Sequence, residues 1–206
     1  MDSLGINKTW IAIGGGSFQR QETRRIDEYA ISRCKNKHPH VLFLPTASHD
    51  DQGYAKRFKQ YYRSLGCEVE ALRLFHTKLS KEAVHQKLLS SDMIYLGGGN
   101  LLALKEQVIV WELKEVLKQA HDQGCVIVGL SAGANLLFDY GYSDSAEEHE
   151  YAIIEGLHMI PGIFCPHYQD PSRKSFDHIE LEGVEKIACV DGQAWCVEEG
   201  TSFYIG

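Results

Sequence analysis

Cys125-Val126-Ile127-Val128-Gly129-Leu130-Ser131-Ala132-Gly133-Ala134-Asn135-Leu136-Leu137-Phe138 is the stretch from which the rest of the chain can be read. It opens on a short apolar, β-branched run with the character of a buried strand. It closes on Ala134–Phe138, which reads as the start of a helix. Between the two, a serine stands between two glycines. A strand passes into a helix over so few residues only through a sharp turn, and glycine permits both the turn and the close approach of neighbouring backbone. Gly-x-Ser-x-Gly in this setting predicts a nucleophile elbow. The turn lifts the Ser131 hydroxyl above the sheet edge and points the Ala132 amide to where an oxyanion forms when the hydroxyl attacks a carbonyl. An ordinary βα turn is the plainer alternative, and the flanking strand and helix favour the elbow.

Working outward, strands and helices alternate. Thr9–Ile13, His40–Leu44, Cys67–Leu74 and Met93–Leu96 read as strands. Arg24–Cys34, Tyr54–Leu65, a segment capped by Ser80 and running to Leu89, and a long amphipathic stretch from Leu101 to Gln123 read as helices. This β-α-β-α rhythm with apolar strands predicts an α/β fold, a mostly parallel sheet sandwiched by helices. Ligands of such sheets bind beyond the C-terminal strand ends. Gly97-Gly98-Gly99-Asn100 and the elbow both sit at such ends and are expected to face one crevice. Gly14-Gly15-Gly16-Ser17 follows the first strand but lacks the spacing of a phosphate-binding loop, so a tight turn is expected there.

Beyond Tyr140 the pattern loosens. Gly141–Glu150 is polar and acidic and reads as a loop. Ala152–Leu157 and Ile163–Cys165 read as short strands, and Ser172–Leu181 as a helix. Ile187–Val190 and Ala194–Val197 are expected to form a hairpin across Asp191-Gly192, and Phe203–Ile205 a final strand. No repeat or linker divides the chain, so residues 1–206 are expected to form one domain.

Composition sets bounds on the function. The 206 residues are 44% hydrophobic and 24% charged, with a formal net charge of -7. No run of Lys and Arg forms a phosphate-binding stripe, so nucleic acid is not an expected partner. Neither a secretory signal nor an apolar run long enough to span a membrane is evident, and a cytoplasmic protein is expected. The six cysteines lack metal or redox spacing and are expected as reduced thiols, four of them in or beside apolar strand-like runs. The ten histidines show no metal-binding spacing, so no metal is expected. The oligomeric state is left open.

A serine nucleophile needs a base, and the base an orienting carboxylate. His167, reached from the strand Ile163–Cys165 through Pro166, is the expected base, with His149 and His158 as rivals. Asp144 is the expected acid, lying between the elbow helix and the next strand and giving the order Ser, Asp, His; Glu147, Glu148 and Asp170 are its rivals. Ser48-His49-Asp50 holds all three residue types side by side, yet adjacent side chains diverge and cannot line up as a triad.

Tyr95-Leu96-Gly97-Gly98-Gly99-Asn100, Gly129–Leu136, Pro166-His167-Tyr168 and Leu44-Pro45-Thr46-Ala47 together resemble the dipeptidase E family of serine peptidases, over roughly Thr9 to the C-terminus. The resemblance implies a flavodoxin-like or class I glutamine amidotransferase-like fold and a peptidase without a cofactor. It implies Ser131 as nucleophile, His167 as base, and the Gly99 and Ala132 amides as the oxyanion hole. Asn100 and Arg173 fall at substrate-binding positions, Arg173 resembling the arginine that holds an N-terminal aspartate side chain in aspartyl dipeptidases. Cyanophycinase, a relative, uses the same elbow on an aspartate-arginine polymer. The expected activity is serine-type hydrolysis of small peptides. A non-catalytic ligand-binding or regulatory domain, or an esterase or amidase, are the alternatives.

Overall fold

The computed structural model describes residues 8–147 and 150–206. Five parallel strands make up most of a seven-stranded sheet: β1 (Thr9–Ile13), β2 (His40–Leu44), β3 (Glu68–Ala71), β4 (Met93–Leu96) and β5 (Val126–Leu130). With β10 (Ala194–Glu198) and β11 (Thr201–Ile205) the order is β11-β10-β1-β5-β4-β2-β3. β10 runs antiparallel to both β1 and β11. The central strands are apolar at nearly every position because both faces are covered. On one face, Phe43, Phe58, Tyr62 and Tyr95 pack with α1 (Arg24–Arg33) and α2 (Gln52–Ser64). On the other, Leu42, Leu96 and Ile127 meet α3 (Lys81–Leu89), α4 (Leu101–Val110) and α5 (Leu113–Asp122). The expected α/β sandwich is the one observed.

Four expectations give way. The stretch 101–123 is two helices, broken at Trp111-Glu112, where Glu112 is left-handed (φ 54°). Val108, Ile109, Val110 and Trp111 are weak helix formers in succession, and the interruption follows them. The acidic stretch after Tyr140 is not a loop. β6 (Phe138–Glu147) pairs antiparallel with β7 (Glu150–Glu155), Tyr142 opposite Ile153. Nor do residues 187–197 make a hairpin. β9 (Lys186–Ala188) lies beside β8 (Ile160–Cys165) in a second, four-stranded sheet of order β7-β6-β8-β9, whereas β10 belongs to the large sheet. Asp191-Gly192 is therefore the crossover between two sheets. In place of the helix expected at Ser172–Leu181, a 3-10 segment spans Pro171–His178. All six cysteines are free, and among the described residues no helix is long and apolar enough to cross a membrane.

Candidate active site

β5 ends at Leu130 and α6 (Ala132–Leu137) begins two residues later. Ser131 takes up the whole turn, at φ 52° and ψ −105°. An L-residue pays about 1–3 kcal/mol to sit in so sparsely populated a region, and the surrounding structure must hold it there. That hold is visible: the Ser131 amide donates to the Ile13 carbonyl (2.9 Å) and its carbonyl accepts from the Asn135 amide (2.9 Å). Gly133 is glycine for a steric reason, since a Cβ there would overlap the Leu96 carbonyl and Cβ. The turn leaves Ser131 half-buried.

The imidazole comes from the other sheet. β8 ends at Cys165, and Pro166 carries the chain to His167, which is left-handed at φ 51°. Its Nε2 lies 2.9 Å from Ser131 Oγ. The His167 amide donates to the Gly14 carbonyl (3.0 Å), and the neighbouring Tyr168 amide donates to the Cys189 carbonyl (3.1 Å). The loop after β1 is thus the rail on which the second sheet's strand ends are docked.

The carboxylate that meets the imidazole is not the expected Asp144 but Asp191, whose Oδ1 stands 2.6 Å from His167 Nδ1. Asp144 fails for a reason of strand geometry. It lies within β6, where side chains alternate between faces. Ser143 and Ser145 turn inward, their hydroxyls 2.9 Å apart and Ser145 Oγ accepting from the Leu101 amide, while Asp144 is exposed. Asp170 instead caps the Pro171–His178 segment, accepting from the Ser172 amide (2.9 Å) and hydroxyl (2.8 Å), bonds that hold its carboxyl below the usual range. Glu148 and His149 lie outside the described residues, as does the side chain of Glu147. His158 bridges Asp139 (2.9 Å) and Glu155 (3.0 Å), which raises its pKa and ties it into the second sheet. Ser48, His49 and Asp50 do diverge: Ser48 Oγ donates to the Pro45 carbonyl, His49 stacks on Phe75, and Asp50 accepts from the Phe75 amide.

Gly15, read from the sequence as part of a plain turn, is tied to this pair. A Cβ there would overlap Asp191 Oδ1 and the His167 ring. Its carbonyl also accepts from the Gly192 amide (3.1 Å), fixing the crossover that carries Asp191. Neither residue was legible as functional, because Asp-Gly after a strand signals a hairpin and nothing in the linear pattern assigns β9 and β10 to different sheets.

The two glycine loops expected to share a crevice do so. A Cβ on Gly98 would stand 3.5 Å from that of Ser131. Tyr54 Oη accepts from the Gly98 amide at 3.4 Å, a contact the sequence did not suggest. Gly99 is pressed against the Ala47 carbonyl, which accepts from the Asn100 amide at 2.7 Å. Ala132 opens α6, so its amide has no intrahelical acceptor. The two expected substrate residues are engaged otherwise. Asn100 caps α4, its Oδ1 accepting from the Ala103 amide (2.9 Å). Arg173 is buried, its Nη1 donating to the Tyr142 carbonyl (3.3 Å) and its guanidinium 4.7 Å above the Tyr151 ring. Among the described residues no cluster of His, Cys, Asp and Glu could hold a metal ion.

A strained serine at a strand-to-helix turn, bonded to an imidazole that is bonded to a carboxylate, is an arrangement found in hydrolases on unrelated folds, so geometry alone does not place a chain in a family. The sequence profile described as Peptidase family S51 matches residues 10–204. The chain belongs to peptidase family S51. As a member of that family it is a serine-type peptidase. It is 36% identical over 162 residues to the uncharacterized peptidase YgaJ of Bacillus subtilis (strain 168), the match covering 78% of this chain and 69% of that one. It is 24% identical over 131 residues to a Peptidase E of Nostoc sp. (strain PCC 7120), spanning 62% of this chain and about half, 52%, of the relative. The crystal structure of a peptidase from an acI-B1 Actinobacterium is similar with a TM-score of 0.74 at 17% identity, covering 96% of this chain and 87% of the other; that likeness is one of fold.

Proposed function

We propose that this S51 peptidase hydrolyses small peptides through a triad of Ser131, His167 and Asp191. The observation that carries the reading is the unbroken chain of hydrogen-bonding contacts from Ser131 Oγ through the imidazole to Asp191, 2.9 Å and 2.6 Å long. Asp191 fixes the tautomer that carries its proton on Nδ1, leaving Nε2 free to take the serine proton. As Ser131 Oγ attacks the peptide carbonyl, His167 becomes the imidazolium and Asp191 balances its charge. The Gly99 and Ala132 amides receive the developing oxyanion. His167 then passes the proton from Nε2 to the leaving amine, and an acyl-serine remains. Water, deprotonated by the same nitrogen, releases the acid and restores the serine.

Asn100 and Arg173 act in this reading through the frame. The Asn100 cap holds the chain immediately after Gly99, and Arg173 braces β6 at the Tyr142 carbonyl. The Peptidase E name of the Nostoc relative supports peptides as the substrate class. The test is a dipeptide and tripeptide library followed by mass spectrometry, run with wild type, Ser131→Ala and His167→Ala. Cleavage by wild type and a loss of several powers of ten in both variants is the expected result. A fluorophosphonate probe should label Ser131 alone. Peptide cleavage that survives Ser131→Ala, or turnover confined to esters, overturns the proposal.

A further inference from the structure

Helix α2 carries Lys56, Arg57, Lys59 and Arg63 and no acidic residue between Gln52 and Ser64, in a chain whose net charge is -7. Lys56, Lys59 and Arg63 recur at three- and four-residue spacing and share one face of the helix. That face borders a groove of about 400 Å³ beside β3, the edge strand of the large sheet. Arg73, arriving from beyond β3, closes the groove, which Gln52, Gln60, Ala55 and Ala71 also line. No carboxylate lines it. Among the described residues none of the four cations makes an ion pair, although Arg20, Arg24, Lys81 and Lys87 do so elsewhere on the surface.

Three nearby carboxylates have partners elsewhere, and Glu68 of β3 is exposed on the strand face opposite that of Ala71. Glu70 is on β3 but is held by Lys87 at 2.8 Å. Asp51 caps α2 by accepting from the Tyr54 amide (2.5 Å); Asp50 is buried, its Oδ2 accepting from the Phe75 amide (2.7 Å) and meeting His76 Nδ1 (3.2 Å), while its Oδ1 has no partner. Arg73 is also oriented: its Nε donates to the Asp50 carbonyl (3.1 Å), which leaves the two terminal nitrogens of the guanidinium fork as donors. Like charges at these spacings repel and weaken a helix. Their convergence on one concave surface, with one member pre-oriented, is the arrangement that a multivalent anion neutralises.

We propose that this groove binds a compact oligophosphate group. Seven helical rises carry the chain from Lys56 to Arg63, about 10 Å along the axis, a span that matches several linked phosphoryl groups and not a single one. Arginine forks meet phosphate oxygens in pairs and lysine ammonium groups meet them as point charges, so the mixed set favours phosphate over an isolated carboxylate. The stripe is invisible as a run in the sequence because intervening residues turn to other faces of α2 and Arg73 comes from another element. The groove shares no lining residue with the Ser131–His167–Asp191 site.

The test is calorimetric titration of the whole protein with inorganic tripolyphosphate, with sulfate and a tetraglutamate peptide at matched ionic strength as comparison arms. Tripolyphosphate should bind one-to-one and more tightly than either. Its affinity should fall at least about tenfold in Lys59→Glu/Arg63→Glu. Lys59→Ala/Arg63→Ala, with its unliganded melting temperature measured, guards against a folding defect in the charge-reversed protein. Binding no tighter than sulfate, or binding unchanged in the folded variants, overturns the proposal. Tetraglutamate binding as tightly as tripolyphosphate also overturns it, and reassigns the groove to acidic peptides.

Discussion

Asp191→Asn isolates the role given to the crossover carboxylate. The substitution preserves shape and removes one charge 2.6 Å from His167 Nδ1. During attack the imidazole becomes positive, and the two charge centres then lie about 4 Å apart, a pairing worth about 4 kcal/mol at an effective dielectric of 20 and about 1 kcal/mol in bulk water. The His167 and Asp191 side chains are 33% and 37% exposed, so the pair belongs between those limits. A loss of about 2–3 kcal/mol corresponds to roughly 30- to 150-fold in rate. Asparagine can also present its amide N–H to Nδ1 and stabilise the wrong tautomer, which adds to the loss. A fall in kcat of at least about 100-fold is expected, with KM within about threefold, because the charge is needed only once the imidazolium forms. Asp144→Asn, at an exposed strand position, should stay within about twofold of wild type. Steady-state hydrolysis of the best dipeptide from the library measures both. If Asp191→Asn keeps more than about a tenth of wild-type kcat, or if Asp144→Asn loses as much, the assignment of the acid is wrong.

Three further outcomes follow from packing and burial. Gly15→Ala should fold yet lose most activity, since the added methyl displaces the His167–Asp191 pair; circular dichroism and kcat read the two effects separately. Gly133→Ala drives a methyl into the Leu96 carbonyl and should cost about 1–3 kcal/mol of stability in urea denaturation as well as activity. Asp27 is buried and accepts from Thr23, Tyr61 and Tyr62, and burial pushes its carboxyl up to about 6. The native state therefore keeps this proton to about pH 6 while the unfolded chain releases it near pH 4, so stability falls as pH rises through that window, by up to about 3 kcal/mol. Asp27→Asn should flatten that slope in chemical denaturation at pH 4, 5, 6 and 7; an unchanged slope would show that Asp27 does not cause it.

The parts of the molecule legible in the sequence are those built from local pattern. The apolar runs at Thr9–Ile13, His40–Leu44 and Met93–Leu96, closed by glycine turns after the first and third and by Pro45 after the second, fix the parallel sheet, because covered strands must be apolar throughout. The meeting of Ser131 and His167 is legible by the same logic, since each lies just beyond a strand end. Asp191 escaped because its meaning depends on which sheet β9 and β10 each join, a non-local choice made by pairing with β8 and with β1. Asp144 misled because polar residues between Gly141 and Glu150 look like a loop until β7 supplies a partner, after which the strand period turns the carboxylate outward. Asn100 and Arg173 matched a pattern of positions, but their side chains are spent on a helix cap and on a backbone carbonyl.

In the proposed triad, translation delivers hydroxyl, imidazole and carboxylate in that order, and the carboxylate sits on the crossover into β10, the strand between β1 and β11. On that proposal, a nascent or partly refolded chain with its parallel core complete still carries an inert serine. Recovery of turnover after dilution from denaturant should accordingly trail the return of helical signal, with enzymatic competence marking the closing event of assembly.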